Sequence, residues 1–132
     1  MREPLKETLL TTLGMEVVET ARERVVMRMP VGPRVLQPWG LLHGGASLAL
    51  AETAASIAAS NNVDLAKDTV VGIEINANHL RGKRGGVVTA VALPVHVGRR
   101  TQVWEVRIAD EEGKLVCISR CTLAVVPLAA PS

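Results

Sequence analysis

Residues 43–60 read His-Gly-Gly-Ala-Ser-Leu-Ala-Leu-Ala-Glu-Thr-Ala-Ala-Ser-Ile-Ala-Ala-Ser, and this stretch constrains the fold more than any other. Alanine and leucine are strong helix formers, so the run predicts one helix over about 42–61. Its side chains are small or apolar on every face, which requires other structure to enclose it. Glu52 is the only ionisable side chain between His43 and Asn61. A lone carboxylate enclosed in this way is costly unless it is paired, protonated or open to a cavity. A solvent-facing stripe is the simpler explanation, but the neighbouring positions offer no polar face to carry it. Ser56, one turn later on the same side, can orient the carboxylate or a water.

The remaining pattern alternates. With 132 residues the chain suits a single domain over 1–132. Leu5, Leu9 and Leu13 followed by Gly14 predict a short amphipathic helix over 4–13. Residues 15–20 and 24–29 predict two strands or one hairpin, and three prolines and two glycines make 30–40 a loop. Strand patterns follow at 71–79, 87–96, 100–110 and 114–126, with Gly-rich or charged turns between them. Short turns between consecutive strands imply hairpins and an antiparallel sheet. The tail 127–132 is expected to fray. The fold class is therefore α+β, a curved antiparallel sheet of about five strands wrapped around one long helix.

Composition removes several functions. Lys and Arg number 15 against 13 Asp and Glu, too small a surplus to bind nucleic acid by neutralising phosphates. Two Trp and no Phe or Tyr leave no stacking platform for single-stranded bases. The apolar run around Glu52 makes a poor membrane span, and the start has charges of both signs without an apolar signal core. A cytoplasmic protein is expected. Cys117 and Cys121, on one strand, would stand roughly 13 Å apart, too far for a disulfide, so both are expected to be buried reduced thiols. Three scattered histidines suggest no metal site. No P-loop, dinucleotide fingerprint, nucleophile elbow or zincin motif is present.

Three features remain as candidate chemistry. Glu52 is the first. The second is His43-Gly44-Gly45, where backbone N–H groups at a helix start suit a developing oxyanion, with Gln37 held as an uncharged donor between Leu36 and Pro38. The third is a pair of basic turns, Arg81, Lys83 and Arg84 and then Arg99 and Arg100, which are either solvated tips or phosphate ligands.

Gln37-Pro-Trp-Gly-Leu-Leu-His-Gly-Gly-Ala-Ser47 with Ala51-Glu52, the segment from Val71 to Arg81, and the segment from His96 to Trp104 together resemble the hotdog-fold acyl-CoA thioesterases. The similarity is to the branch that includes phenylacetate-pathway, 4-hydroxybenzoyl-CoA and 1,4-dihydroxy-2-naphthoyl-CoA thioesterases, and it spans residues 12–126. The resemblance implies that Glu52 attacks the thioester or activates water and that the Gly44 N–H polarises the carbonyl. It implies that Gln37 and His43 position that carbonyl and the helix start, and that Ser56 assists Glu52. Coenzyme A contacts would fall on Val71, on His79, Leu80, Arg81, Gly82 and Arg84, and on His96, Val97, Gly98, Arg99, Arg100 and Thr101. Arg99 stands where relatives often carry a small hydroxyl residue.

The implied activity is hydrolysis of an aryl or aromatic-like acyl-CoA with no cofactor, CoA being part of the substrate. Two rivals are a non-catalytic acyl-CoA-binding module and an enoyl-CoA hydratase or dehydratase. Gly44 and Glu52 lie eight residues apart, about 12 Å along a helix, so one thioester cannot touch both within a chain. A two-fold dimer that shares its sites is expected, with dimers pairing further.

Overall fold

The computed structural model of the protein describes residues 3–129. Six strands form one antiparallel sheet: β1 (Glu16–Thr20), β2 (Val25–Pro30), β3 (Asp68–His79), β4 (Val87–Val97), β5 (Thr101–Ala109) and β6 (Leu115–Pro127). The helix α2 (Gly44–Ser60) packs on β2 through β6. The architecture is the expected α+β one with six strands instead of about five. The sixth arises because residues 15–29 form a true hairpin, closed by the Ala21 N–H donating to the Arg24 carbonyl.

The strand order is β1-β2-β4-β5-β6-β3. The short turn at 81–86 therefore does not make a hairpin, contrary to the sequence expectation. It carries the chain from β3, at one edge beside β6, across the ends of β6 and β5 to β4. β4, β5 and β6 are joined as hairpins in the expected manner.

The first helix, α1 (Leu9–Leu13), is shorter than the predicted 4–13. Thr8 is extended and pairs with Thr11 in a capping box, which starts the helix there, and Gly14 ends it in the left-handed region. Leu10 and Leu13 meet the core, whereas Leu5 and Leu9 are exposed. At the other end Pro127 pairs with Asp68 inside the sheet, and the Leu128 N–H donates to Lys67. The expected fraying thus does not begin at 127; residues 130–132 lie outside the described residues.

The helix offers alanines to the sheet and the sheet offers bulk to the helix. Ala51, Ala54, Ala55, Ala58 and Ala59 are fully buried, as are Met27, Met29, Trp104, Val106 and Ile108. The expected alternation on β5 holds, with Gln102, Trp104, Val106 and Ile108 all inward. Small helix side chains bring the two layers close, and large sheet side chains fill the gap to native density. Cys117 and Cys121 are buried free thiols, as expected. Burial pushes both upward in pKa, Cys121 to about 12 with the Glu52 and Glu74 charges adding to the effect.

One polar chain crosses this core. The Trp104 indole N–H donates to the Gln102 Oε1 at 2.9 Å, and the Gln102 Nε2 donates to the Ala59 carbonyl at 3.2 Å. Gln102→Leu keeps most of the volume but leaves the buried indole N–H without an acceptor. It should destabilise the fold by about 1–3 kcal/mol. Urea denaturation should show a lower midpoint with an unchanged slope.

Candidate active site

The N-terminus of α2 is built by its own side chain. His43 is the N-cap, and its Nδ1 accepts from the Gly45 N–H at 2.8 Å. The carbonyl of His43 accepts from Ala46 and Ser47. Among the described residues no acceptor meets the Gly44 N–H, so this donor of the first turn is free for a ligand. The Gly44 Cα is closely covered: a Cβ there would stand 2.9 Å from the His79 Nε2. Only glycine lets the imidazole lie against the helix start.

Gln37 sits in the turn before this helix. Its Oε1 accepts from the Trp39 N–H at 2.5 Å and from the Leu41 N–H at 3.5 Å. With its oxygen occupied by the turn, Gln37 has only amide N–H donors left for the cavity it lines. That cavity, about 350 Å³, is lined by Gln37, Leu41, Leu42, Gly44, Ser47, His79, Leu80, Arg81, Gly82 and Val116. Six residues named from the sequence thus surround one space: Gln37, Gly44, His79, Leu80, Arg81 and Gly82. Ser47, one turn along the helix from Gly44, was not anticipated, although the i, i+3 spacing places it on that face. Arg84, also named from the sequence, does not line the cavity; its Nη1 donates to the Trp39 carbonyl at 3.5 Å. Trp39 itself is 79% exposed.

Glu52 is not in that cavity. Its carboxylate lies over the Gly72 Cα, in the space a Cβ would occupy. It is half-buried on a stripe with Leu48, Ser56 and Ser60. The helix is therefore not enclosed on every side, as its composition suggested; this stripe and the neighbouring one of Ala49, Thr53 and Ile57 are covered only in part. Among the described residues nothing donates a hydrogen bond to Glu52 or Ser56, so the carboxylate is free to act on a ligand.

The remaining predicted residues gather at the Glu52 end. Val71 and Thr101 both pair with Ala124, which sets β3, β6 and β5 side by side there. The Arg100 carbonyl accepts from the Val125 N–H, and Gly98 closes the β4–β5 turn by donating to the Thr101 carbonyl. The His96 imidazole covers Gly98, where a Cβ would meet the Nε2 at 2.5 Å. Val71, His96, Val97, Gly98, Arg99, Arg100 and Thr101 are thus on the opposite end of the sheet from Gly44. Seven residues of β3 separate Gly72 from His79, roughly 23 Å. Within one chain the Glu52 carboxylate and the Gly44 cavity are therefore separate places.

Among the basic residues, Lys83 is already committed, since its Nζ meets the Glu111 carboxylate at 2.5 Å. Arg81, Arg84, Arg99 and Arg100 form no ion pair among the described residues.

Comparison with known proteins gives the family. The model of the thioesterase superfamily matches residues 40–117. A 1,4-dihydroxy-2-naphthoyl-CoA hydrolase of Listeria monocytogenes is 50% identical over 117 residues, covering 89% of this chain and 94% of that protein. A Pseudomonas aeruginosa thioesterase, solved with a glutamine replaced by alanine, superposes with a TM-score of 0.91 at 48% identity over 93% of this chain and 88% of that one. A Staphylococcus aureus protein has been solved with a glutamate replaced by alanine, with a TM-score of 0.90 at 42% identity over 92% of this chain and 100% of that one. It has also been solved as a thioesterase with a glutamine replaced, and the two altered positions are fifteen residues apart. With its helix on a curved antiparallel sheet, its free N–H at the helix start and these matches along most of its length, this chain belongs to the thioesterase superfamily, the hotdog-fold thioester hydrolases.

Proposed function

We propose that the protein hydrolyses aryl or aromatic-like acyl-CoA thioesters to the free acid and CoA, in sites that two copies of the chain share. The observation that carries this reading is the position of the two half-sites relative to β3. β3 is a twelve-residue edge strand, paired only with β6, and it exposes Val71 and Ile73. A long unpaired edge of this kind invites pairing with another strand. Two copies of β3, paired antiparallel about a two-fold axis near Ile75 and Asn76, would set Gly72 of one beside His79 of the other. Glu52 of the first chain would then face the Gly44 cavity of the second, and the half-covered stripe of α2 would gain a neighbour. The two-fold makes both sites equivalent. Further pairing of dimers accords with the exposed Leu93, Val95 and Val97 on β4.

The chemistry follows from the groups assembled. The thioester oxygen would accept from the Gly44 N–H and the Gln37 amide, where the helix N-terminus favours negative charge. The Glu52 carboxylate either adds to the carbonyl carbon, giving an anhydride that water then opens, or takes a proton from a water that adds in its place. Either way the tetrahedral oxyanion collapses, the C–S bond breaks and CoA leaves as the thiolate. Ser56, one turn along the same stripe, would assist at the Glu52 end once a ligand or water bridges the two, while His43 acts on the helix start through its cap. In the Staphylococcus aureus relative the replaced glutamine and glutamate have the spacing of Gln37 and Glu52, which supports pairing these two roles. The name of the Listeria monocytogenes relative supports an aromatic acyl group. The acyl pocket has only aliphatic and indole walls available, and Trp39 is the exposed indole beside Gln37.

Arg81 and Arg84 at one half-site, and Arg99 and Arg100 at the other, would hold the CoA phosphates. Val71, Leu80, Val97 and Thr101 would line its path. No metal or prosthetic group is required. The proposed substrate is a dissolved CoA thioester of the cytoplasm; among the described residues no helix is long and apolar enough to cross a membrane. Superfamily membership favours hydrolysis over a silent binding module or a hydratase.

A panel of benzoyl-, phenylacetyl-, naphthoyl- and straight-chain CoA thioesters, assayed by thiol release, tests the substrate class, and the aryl thioesters should give the higher kcat/KM. Glu52→Gln should lower kcat at least about a hundredfold with the fold intact, the loss expected for a nucleophile or general base. Near-normal turnover in the folded variant would sink the assignment. An acyl-pantetheine substrate should raise KM more than it lowers kcat, because phosphate contacts exist before and during the reaction. Equal KM values for acyl-CoA and acyl-pantetheine would leave the arginines as solvated tips. Sharing of the site is read from mixed dimers of Glu52→Ala with a chain altered at Gln37 and Gly44. Activity should return in the mixture, and verified heterodimers as inactive as either parent would place the whole site within one chain.

A further inference from the structure

Two connections pass over other strands, the long one through α2 from β2 to β3 and the short crossover 80–86, and the first half of the short one lines the Gly44 cavity through Leu80, Arg81 and Gly82. This crossover leaves β3 with the Leu80 N–H donating to the Val116 carbonyl. It then lends carbonyls to two neighbours: Lys83 accepts from the Leu42 N–H at 2.7 Å, and Gly86 from the Val31 N–H at 2.8 Å. Beneath it lies the β5–β6 turn, because that turn joins the two strands being crossed.

Glu111 stands in that turn and closes the gap. One carboxylate oxygen takes the Lys83 Nζ at 2.5 Å and the other takes the Val87 N–H at 3.1 Å. The carboxylate occupies the space where a Cβ on Gly86 would stand, and Gly86 has φ +77°. The conformation and the contact both demand glycine. The Lys83 side chain is only 18% exposed, so its ammonium depends on this partner. Among the described residues no other carboxylate forms an ion pair with Lys83.

We propose that Glu111 is a positioning residue, which through Lys83 and the Val87 N–H holds the 80–86 crossover in the shape that presents Arg81 to the phosphates of the substrate. The ligand class rests on the thioesterase reading above; the clamp itself does not. Lys83 is then an anchor and not a phosphate ligand. The Lys83 hydrogen bond, followed by the backbone N–H groups of Glu111 and Val87, holds the Glu111 carboxyl down at about 2, so the clamp stays ionised throughout any practical assay range.

The two roles of Lys83 predict opposite signs. If Lys83 is the anchor, Glu111→Ala loosens the loop and raises KM for the acyl-CoA, roughly fivefold, with kcat within about twofold. Lys83→Met does the same, and the double variant is no worse than either single, because one contact is lost in all three. If Lys83 is a phosphate ligand, removing Glu111 frees its ammonium and lowers KM. Amide hydrogen exchange of the ligand-free protein supplies the second readout. The Leu42 and Val31 N–H groups bond to crossover carbonyls and are untouched by the substitutions, and both should exchange faster in Glu111→Ala than in the parent. Glu111→Gln, which retains an acceptor for Val87 but loses the charge, should fall between. Unchanged exchange, a lowered KM, or faster exchange with an unchanged KM each overturns the proposal. A parent protein that hydrolysed no acyl-CoA would instead defeat the thioesterase reading, and the exchange comparison would still decide the clamp.

Discussion

The close approach of an alanine helix to a curved sheet is the constraint on which the rest depends. Methyl side chains on α2 let the layers meet at short range, and the bulk needed to fill the core comes from Met27, Met29, Trp104 and Ile108 on the strands. Such closeness leaves little space at the helix surface, and the chain takes advantage of it twice. Where a Cβ would stand on Gly44 the His79 ring is found, and where one would stand on Gly72 the Glu52 carboxylate is found. Tight packing thus brings the His79 ring and the Glu52 carboxylate against backbone, where contact limits their orientation.

Polar groups in this interior are placed with equal economy. Gln102 joins the Trp104 indole to the end of α2 and so satisfies a buried donor and a helix carbonyl with one side chain. His43 caps the same helix at its other end and leaves Gly44 with a free N–H. Gln37 gives its oxygen to its own turn, which leaves donors for the cavity. Each arrangement removes one end of an amide or imidazole from competition and assigns the other end a direction. Preorganisation of this sort lets a weak donor stabilise developing charge without reorganising first.

The two edges of the sheet differ in a way that matters for assembly. β1 has five residues, carries Glu16 and Glu19, and has an irregular register between Val17 and Glu19. These are the devices by which an edge resists pairing. β3 has a register irregularity too, between Gly72 and Glu74, but it is more than twice as long, and the helix stripe beside it, with Glu52 and Ser56, is only half-covered. The edge that is left open is also the one that runs from Gly72, under the Glu52 carboxylate, to His79, against Gly44.

Much of this was legible from residue order alone. The helix over about 42–61, the alternation along β5 and the buried thiols follow from local periodicity and propensity, which need no knowledge of neighbours. The motifs around Gln37 and Gly44, around Val71 to Arg81 and around His96 to Thr101 named the family and the candidate residues. What the sequence by itself could not determine was adjacency. A turn of Gly and basic residues at 81–86 looks the same whether it closes a hairpin or crosses two strands. The alanine pattern of α2 does not reveal which stripe the sheet leaves half-covered. Lys83 resembles its neighbours Arg81 and Arg84 until the fold brings Glu111, twenty-eight residues later, against it. Local sequence determines the elements because helix and strand preferences act over a few residues. Only the tertiary structure decides which elements share an edge, because that choice is made by packing the whole sheet around the helix at once.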